Sequence, residues 1–232
     1  MEQLITQYET VLNRVREAQM RSKAGGEVTL IAVSKTHPAS DIQTLYDHGV
    51  RHFGENKVQE LKEKHETLPE DIKWHLIGHL QTNKVKYIAG FVTMIHSVDS
   101  YKLACEISKE AGKHGRTIDI LIEVNVAGEE SKFGITPQET PELVEKIAAL
   151  PGVRICGLMT IAPFTEDPES NRKYFEKLKQ LSVDIMRKNI DNIDMNVLSM
   201  GMTGDFEVAI EEGATHVRVG TAIFGMRDYG KA

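Results

Sequence analysis

A lysine at the end of an apolar run is the first residue of this 232-residue chain that could do covalent chemistry. Lys35 follows the run from Leu30 to Ser34. Burial disfavours a charged ammonium and lowers its pKa, and a neutral amine can attack an aldehyde to form an imine. The alternative is a strand-end lysine whose charged head reaches solvent, as long cationic side chains often do. The residue type alone does not decide between these two interpretations.

Two donor-rich segments further along the chain are suited to a phosphate dianion. The segment Ser199–Asp205 contains two glycines and the hydroxyl of Thr203, and it precedes a predicted helix with free N–H groups. The segment His216–Thr221 adds Gly220 and Thr221. The alternative for the first segment is an ordinary capped loop. Two such segments after successive strands predict a phosphate site.

The elements that must position these residues alternate between short apolar runs and longer amphipathic stretches. Eight strands are predicted at Leu30–Lys35, His52–Asn56, Trp74–Gly78, Met94–Val98, Asp119–Asn125, Ile155–Thr160, Val197–Gly201 and His216–Gly220. Helices are predicted at Glu2–Lys23, Ala39–His48, Lys57–Thr67, Gln81–Ile88, Tyr101–His114, Pro137–Leu150, Asp167–Arg187 and Asp205–Glu211. This pattern predicts an α/β fold, a single (β/α)8 TIM barrel with an additional N-terminal helix, over residues 1–232. An open doubly wound sheet is the alternative.

Alternation along the strands sorts side chains into two faces. If the aliphatic face meets the helices, the other face lines the barrel interior near the carboxyl ends of the strands, where barrel active sites form. The residues placed inside are Lys35, Asn56, His75, His79, Glu123, Asn125, Ser199 and Arg218. For Arg218 the alternative is a structural ion pair, with Glu123 as a candidate partner.

Weaker candidates lie after the second and third strands. Asn56 is placed to contact a ligand or to cap the following helix. His75 and His79 share a face but lie about two strand steps apart, which is awkward for one metal ion. Hydrogen bonds to a ligand or to neighbouring strands fit them better, so no metal site is predicted.

At these residues the chain resembles the pyridoxal phosphate homeostasis proteins, barrels that bind pyridoxal 5′-phosphate (PLP) and are related to the N-terminal domain of alanine racemase. The matching segments occur in order along nearly the whole chain: Ala32–Thr36, Phe53–Asn56, His75–Lys84, Gly157–Thr160, Leu198–Thr203 and Val217–Gly220. Each segment alone is weak evidence for the family, but the set of six in this order is specific to it.

The resemblance implies that PLP is the cofactor and that Lys35 forms the internal aldimine with its aldehyde. It implies that the phosphate is surrounded by Ser199, Thr203, Gly220 and Thr221, with Met200 and Gly201 nearby. Arg218 matches the position that faces the pyridine nitrogen, and Asn56 and His79 match pocket positions near the ring. Residue 203 is often Ser in the family pattern, and Thr203 retains the hydroxyl.

An arginine beside the pyridine nitrogen has a chemical consequence. Because a guanidinium stays charged and only donates, it leaves that nitrogen unprotonated and weakens carbanion stabilisation. We also expect no counterpart of the racemase C-terminal domain, which supplies the opposing base. Racemisation needs groups on both faces of the substrate carbon. The resemblance therefore implies PLP binding, buffering and transfer to PLP-dependent apoenzymes in vitamin B6 homeostasis, without robust catalysis.

Composition excludes several other classes. The net charge of −6 gives no electrostatic footprint for nucleic acid or an anionic membrane. Cys105 and Cys156 are far apart, which suits a reducing cytoplasm, and the first residues lack the features of a signal peptide. The missing dimer-forming domain favours a monomer.

Two alternatives from other classes stay open. One is a low-turnover PLP-dependent amino-acid racemase. The other is a phosphate-binding metabolic barrel in which Lys35 acts by charge alone.

Overall fold

Eight parallel strands close into a barrel in the computed structural model, which describes residues 2–22 and 25–226. The strands are β1 (Thr29–Val33), β2 (His52–Glu55), β3 (Lys73–Leu76), β4 (Met94–Val98), β5 (Ile118–Glu123), β6 (Val153–Met159), β7 (Ile193–Ser199) and β8 (His216–Val219). Each strand pairs with the next, and β8 pairs with β1, where Ile31 lies opposite Arg218. This closure confirms the predicted barrel and excludes the open sheet.

Helices connect the strands on the outside. They are α1 (Glu2–Arg21), α2 (Ala39–Asp47), α3 (Val58–Thr67), α4 (Tyr101–Lys113), α5 (Thr140–Ala148), α6 (Arg172–Met186), α7 (Phe206–Glu211) and α8 (Thr221–Phe224). The stretch predicted as a helix after β3 is a 3₁₀ helix, Thr82–Tyr87, and another, Pro168–Asn171, leads into α6. Over the part of the chain that the structure describes, no helix is both long and apolar enough to cross a bilayer.

The N-terminal helix is packed onto the barrel rather than standing apart from it. Helix α1 packs against α2, α7 and α8. Two ion pairs connect it to α7, Arg14 to Glu207 at 2.9 Å and Arg21 to Glu211 at 2.7 Å. The prediction extended this helix to Lys23, which lies outside the described residues.

Apolar side chains fill two layers, as strand alternation requires. The larger layer lies between the strands and the surrounding helices. A small inner cluster fills the barrel itself, and its members are Met94, Leu121, Cys156 and Met159, with Ile161 and Val197 packed against them. Buried polar residues share the interior with this inner cluster, among them His75, His96, Glu123 and Arg218.

Several strands end earlier than the sequence predicts. Lys35 lies two residues beyond β1, Asn56 one residue beyond β2, and Gly220 one residue beyond β8. The chain leaves the first strand in a turn in which Thr36 adopts a φ of 69°, and α3 begins soon after Asn56, at Val58. These three residues therefore lie on the loops that follow the strands, whereas Ser199 and Arg218 lie within β7 and β8.

Candidate functional site

A cavity of about 270 Å³ opens at the carboxyl end of the barrel. It is bordered by loops that follow β1, β2, β6, β7 and β8. Six of the predicted site residues line it, namely Lys35, Asn56, Thr203, Arg218, Gly220 and Thr221. The remaining lining residues are Val33, Ile77, Ile161, Pro163, Phe164, Thr165, Asn171, Met202, Gly204 and Asp205. One cavity thus collects the candidate nucleophile, the candidate phosphate donors and the candidate ring partner.

The loop that carries Lys35 is anchored on both sides of the lysine. The carbonyl of Ser34 accepts a hydrogen bond from Lys64 Nζ at 2.8 Å, and the backbone N–H of Thr36 donates to Glu60 Oε1 at 2.6 Å. The positive φ of Thr36 is strained for a β-branched residue. Because both neighbours are held, the half-buried Lys35 side chain is presented to the cavity from a fixed backbone.

The residue that anchors this loop belongs to a buried polar cluster, here called the Lys64 cluster, of Ser34, Glu55, Glu60 and Lys64. Lys64 Nζ contacts Glu55 Oε1 at 2.7 Å and Glu60 Oε1 at 2.6 Å. Ser34 Oγ donates to the same Glu55 oxygen at 2.6 Å. Burial raises the pKa of Glu55, and the adjacent Lys64 ammonium opposes that shift.

The turn after β7 is stabilised by Asp205. One of its carboxylate oxygens accepts from the backbone N–H of Met202 at 2.7 Å, and the other accepts from Asn171 Nδ2 at 2.8 Å. Both oxygens are thus used to shape the turn, although Asp205 borders the cavity. Thr203 and Gly204 lie between the fixed ends of this turn and face the cavity.

The second donor segment begins where β8 ends. Gly220 packs against β1, since a Cβ at this position would lie 3.2 Å from the carbonyl oxygen of Val33. Its own carbonyl accepts from Ile223 and Phe224, which starts α8 at Thr221. Thr221, the first residue of α8, therefore lines the cavity beside the end of β1.

Arg218 forms the buried end of the cavity. Its Nη1 donates to Ser199 Oγ at 2.6 Å, and its Nη2 donates to the carbonyl of Thr160 at 2.8 Å. Burial lowers the pKa of Arg218 to about 10, against the opposing effect of the Glu123 and Asp205 carboxylates. The guanidinium is still charged at neutral pH.

The alternative for Arg218, an ion pair with Glu123, is not observed at contact distance among the described residues. Glu123 lies in the barrel interior with 4% of its surface exposed. Burial raises the pKa of Glu123 to about 7, nearby Asp99 adds to the rise, and Arg218 opposes it. Glu123 therefore acts on Arg218 through space.

Asn56 and His79 differ in position. Asn56 lines the cavity and is closely approached by the segment after β3, since a Cβ on Gly78 would lie 2.5 Å from the Asn56 carbonyl oxygen. Lys57 is the N-cap residue of α3 and makes no side-chain cap bond, so the capping role predicted as an alternative for Asn56 is not observed. His79 borders a neighbouring groove that shares Asn56, and its ring stacks on Phe133 with centroids 4.0 Å apart.

Four of the eight residues predicted to face the barrel interior lie on loops; Lys35 and Asn56 still line the cavity, whereas His79 and Asn125 do not. The His79 side chain is 37% exposed. The Asn125 side chain closes its own loop, accepting from Gly128 N at 3.0 Å and donating to the carbonyl of Glu129 at 2.9 Å. Both follow the last residue of their strand, where alternation no longer fixes the side-chain direction. The prediction was right for His75, Glu123, Ser199 and Arg218, which are buried.

Three predicted residues support the cavity from behind. Ser199 is buried beneath Arg218. The Met200 side chain lies in the layer between strands and helices. Gly201 adopts a φ of 90°, and a Cβ there would lie 2.8 Å from the Cα of Phe206, so the tight turn onto α7 requires glycine. A direct contact of these three with a ligand stays a prediction.

The sequence analysis missed residues of two kinds. The loop after β6 contributes Ile161, Phe164 and Thr165 to the cavity, and no local pattern marked it. His52 and His96 join His75 in the barrel interior. Their shared inward position on successive strands was an available signal.

The interior histidines hydrogen-bond to one another across neighbouring strands. His75 hydrogen-bonds to the histidines on both neighbouring strands, as the sequence analysis favoured. Over residues 2–22 and 25–226, no group of three or more His, Cys, Asp or Glu side chains is arranged to hold a metal ion.

Comparison with known proteins places this geometry in a family. Residues 12–228 match the family described as the alanine racemase N-terminal domain. A pyridoxal phosphate homeostasis protein of Aquifex aeolicus is 49% identical over 221 residues, which cover 94% of this chain and 96% of that protein. The solved structure of PipY from Synechococcus elongatus PCC7942 with PLP bound is 37% identical, with a TM-score of 0.79 over 91% of this chain and 99% of that chain. An alanine racemase of Clostridium difficile is 14% identical, with a TM-score of 0.76 over 99% of this chain and 58% of that one, and shares the fold.

Proposed function

This chain belongs to the pyridoxal phosphate homeostasis protein family, and from that premise we propose that it binds PLP as a Schiff base on Lys35 and serves vitamin B6 homeostasis. The observation that carries the proposal is the single cavity shared by Lys35, Thr203, Thr221 and Arg218. When bound, PLP supplies an aldehyde that condenses with amines and a conjugated ring that withdraws electrons.

The donor set fits the three ends of such a molecule. Thr203, Gly204, Gly220 and Thr221 all line the cavity, and their hydroxyl and backbone N–H groups are the donors that a phosphate dianion requires. Lys35 supplies the amine. Arg218 supplies N–H groups at the buried end of the cavity. The carboxylate of Asp205 borders the cavity, but its two oxygens accept from the Met202 N–H and the Asn171 amide, which offsets part of its repulsion of a phosphate.

Arg218 also supports a carrier over an efficient catalyst. A charged guanidinium donates a hydrogen bond to a ring nitrogen and does not deliver a proton to it. A ring nitrogen held in this way withdraws electrons weakly, so the site is built for binding more than for stabilising a carbanion. We therefore propose that the chain has no robust catalytic activity.

The rim of the cavity supports reversible loading. Met202, Gly204 and Thr221 are exposed, and Phe164 is 94% exposed. A ligand bound at this mouth can enter and leave without unfolding the barrel. Transfer of PLP to apoenzymes, action as a monomer and a cytoplasmic location complete the proposal.

The decisive experiment is chemical fixation of the cofactor. The protein is incubated with PLP, reduced with borohydride, digested and analysed by mass spectrometry. We expect one modified peptide, carrying the label on Lys35. Lys35→Ala is expected to fold and to lose both the label and the visible absorption band.

Lys57→Ala is the matched control, because Lys57 borders the adjacent groove and not the cavity. It is expected to keep the label. A label on Lys57 or on another lysine would show that the site assignment is wrong. Tight PLP binding without any reducible adduct would favour a phosphate-binding barrel in which Lys35 acts by charge.

The absence of robust catalysis has its own test. The PLP-loaded protein is incubated with L- and D-amino acids in heavy water, and deuterium incorporation at the α-carbon is followed. We expect exchange no faster than with free PLP. Rapid exchange that depends on Lys35 would instead support the low-turnover racemase.

A further inference from the structure

A row of hydrogen-bonded side chains crosses the barrel interior and ends at Arg218. His52 Nδ1 lies 2.9 Å from His75 Nε2, and His75 Nδ1 lies 2.9 Å from His96 Nε2. His96 Nδ1 lies 2.8 Å from Ser199 Oγ, and Arg218 Nη1 donates to that same oxygen at 2.6 Å. We call His52, His75 and His96 the histidine chain. It connects the start of β2 with the buried end of the cavity.

The chemistry of Arg218, the last member of the row, fixes the direction in which every hydrogen bond of the row is donated. A guanidinium has no acceptor, so Arg218 must donate to Ser199. The Ser199 hydroxyl then donates to His96 Nδ1, and each neutral imidazole passes an Nε2–H to the next ring. The opposite direction would leave the Ser199 hydrogen without an acceptor, since its oxygen contacts only Arg218 and His96 among the described residues. All three imidazoles are therefore assigned the Nε2–H tautomer.

Burial keeps this direction stable. The side chains of His75, His96 and Ser199 are at most 1% exposed. Burial, with smaller contributions from neighbouring imidazoles, lowers the pKa of both His75 and His96 well below the ordinary histidine range. Each ring is neutral near pH 7 and can accept at Nδ1, as the assigned direction requires.

Few other titratable groups face the row. Lys73 acts on His52, and His216 lies near both buried rings, with centroids 6.1 Å from His75 and 6.3 Å from His96. Glu123 and Asp205 act on Arg218. Burial lowers the pKa of His216 to about 4, so this ring is uncharged near neutral pH.

We propose that His96 is a positioning residue for Arg218. By accepting from the Ser199 hydroxyl it turns the serine lone pair towards Arg218 Nη1, while the Thr160 carbonyl holds Nη2. His75 and His52 maintain the His96 tautomer. The guanidinium is thereby fixed at two nitrogens by neutral acceptors, and its remaining N–H groups are available to the cavity.

The consequence for the ligand rests on the proposed function. A cation held near the bound ring disfavours protonation of the Schiff base and lowers its pKa. If the guanidinium loses its hold on Ser199, that pKa rises. The tautomers, in contrast, belong to the protein alone and do not depend on any ligand.

The first arm of the test is nitrogen NMR of the unloaded protein with ¹⁵N-labelled histidine. We expect His96 to be the neutral Nε2–H tautomer between pH 6 and pH 9, and Ser199→Ala to allow both tautomers. A protonated Nδ1 in the wild-type protein would overturn the proposal, whether or not PLP binds.

The second arm compares His96→Leu with His96→Asn in the PLP-loaded protein. Leucine removes the acceptor, whereas the asparagine oxygen can replace Nδ1. We expect His96→Leu to keep the Lys35 label and to raise the titration midpoint of the visible band by about 0.5 pH unit or more. His96→Asn is expected to restore the wild-type midpoint.

His216→Gln is the matched control, because this ring faces the same interior but, within residues 2–22 and 25–226, hydrogen-bonds only to Thr215, at 3.1 Å. It is expected to leave the midpoint unchanged. An unchanged midpoint in His96→Leu would overturn the positioning role. A missing Lys35 label in the wild-type protein would count against the proposed function and leave the NMR arm to decide on His96.

Discussion

Two lysine side chains near the carboxyl end of β1, Lys35 from the loop after this strand and Lys64 from α3, lie in different environments. Lys64 is only 6% exposed, and its three N–H groups match three acceptors, the Ser34 carbonyl, Glu55 and Glu60. Lys35 is half-buried and faces the cavity. The more deeply buried amine is thus committed to holding the loop, and the less buried one is presented to a ligand. Burial alone therefore does not identify a reactive lysine, and the surface that the amine faces has to be considered as well.

The same division holds for the rest of the site. Thr203, Thr221 and Asn56 border the cavity, whereas the Lys64 cluster and the histidine chain lie behind it and hold its members in place. Residues of the first kind are expected to change ligand binding when replaced. Those of the second kind are expected to change stability or the pose of a neighbour.

The largest effect is expected for Lys64→Met. Removing one partner of a buried ion pair leaves an uncompensated charge and typically lowers the free energy of unfolding by about 3–5 kcal/mol. Both Lys64 and Glu55 are buried, so screening by solvent is weak. Urea unfolding of the unloaded protein measures the loss, and the folded fraction is expected to keep the borohydride label on Lys35.

Lys62→Met is the matched control on the same helix. Lys62 forms an exposed pair with Glu66 at 3.3 Å, and such a pair contributes roughly 0.5 kcal/mol or less. Glu55→Gln in the Lys64→Met background removes the stranded charge and should recover part of the loss. If Lys64→Met lowered stability no more than Lys62→Met, the contrast between the two regions would fail.

The sequence predicted the barrel and the Lys35 side of this contrast for physical reasons. A strand–helix alternation repeated eight times leaves few topologies, and a polar residue directly after an apolar run must lie at a strand end. Six of the ten predicted site residues line one cavity as a result.

The burial of Lys64 was not predicted, because the composition of its helix suggested an exposed surface. Helix α3 is rich in charged residues, which suggests an exposed surface, yet Lys64 lies between Leu61 and Leu68 on its buried face. The spacing of those two leucines was an available signal. Its partner Glu55 could not be foreseen, because the pairing depends on how the helix packs against β2.

The histidine chain shows a second limit of prediction from the sequence. Alternation predicts that His75 points inward and offered the same signal for His52 and His96. The hydrogen bonds between the three rings, however, depend on the stagger between neighbouring strands, which the sequence does not specify. Met200 shows the converse. It belongs to a motif that contacts the site, yet alternation turns its side chain away from the inward-facing Ser199 and into the outer layer.

A smaller, pH-dependent effect is expected at Glu123. Its folded-state pKa is raised from 4.5 to about 7, mainly by burial. A raised pKa means that its stabilising contribution is fully present below about pH 4.5 and is lost as the pH rises through 7. Between pH 5.5 and pH 8.5, Glu123→Gln should therefore gain roughly 2 kcal/mol of stability relative to the wild-type protein.

The measurement is urea unfolding of both proteins across this pH range. Glu130→Gln is the control, because this exposed carboxylate lies in the loop after the same strand. Its stability difference from the wild-type protein is expected to stay flat. A difference for Glu123→Gln that grew towards low pH would contradict the burial of an ionisable group beside Arg218.

An effect of similar size, on ligand binding rather than on folding, is expected where the cavity meets solvent. Thr203→Val keeps the shape of the side chain but removes a hydroxyl proposed to donate to the phosphate. A hydrogen bond to a charged group contributes about 1.5–3 kcal/mol, so PLP affinity should fall by roughly tenfold or more. Equilibrium dialysis in a Lys35→Ala background measures the noncovalent part. Thr165→Val is the matched control, since Thr165 lines the same cavity but its hydroxyl donates to the Asp167 carbonyl at 3.1 Å. Equal losses in both variants would mean that Thr203 shapes the mouth and does not bind the phosphate.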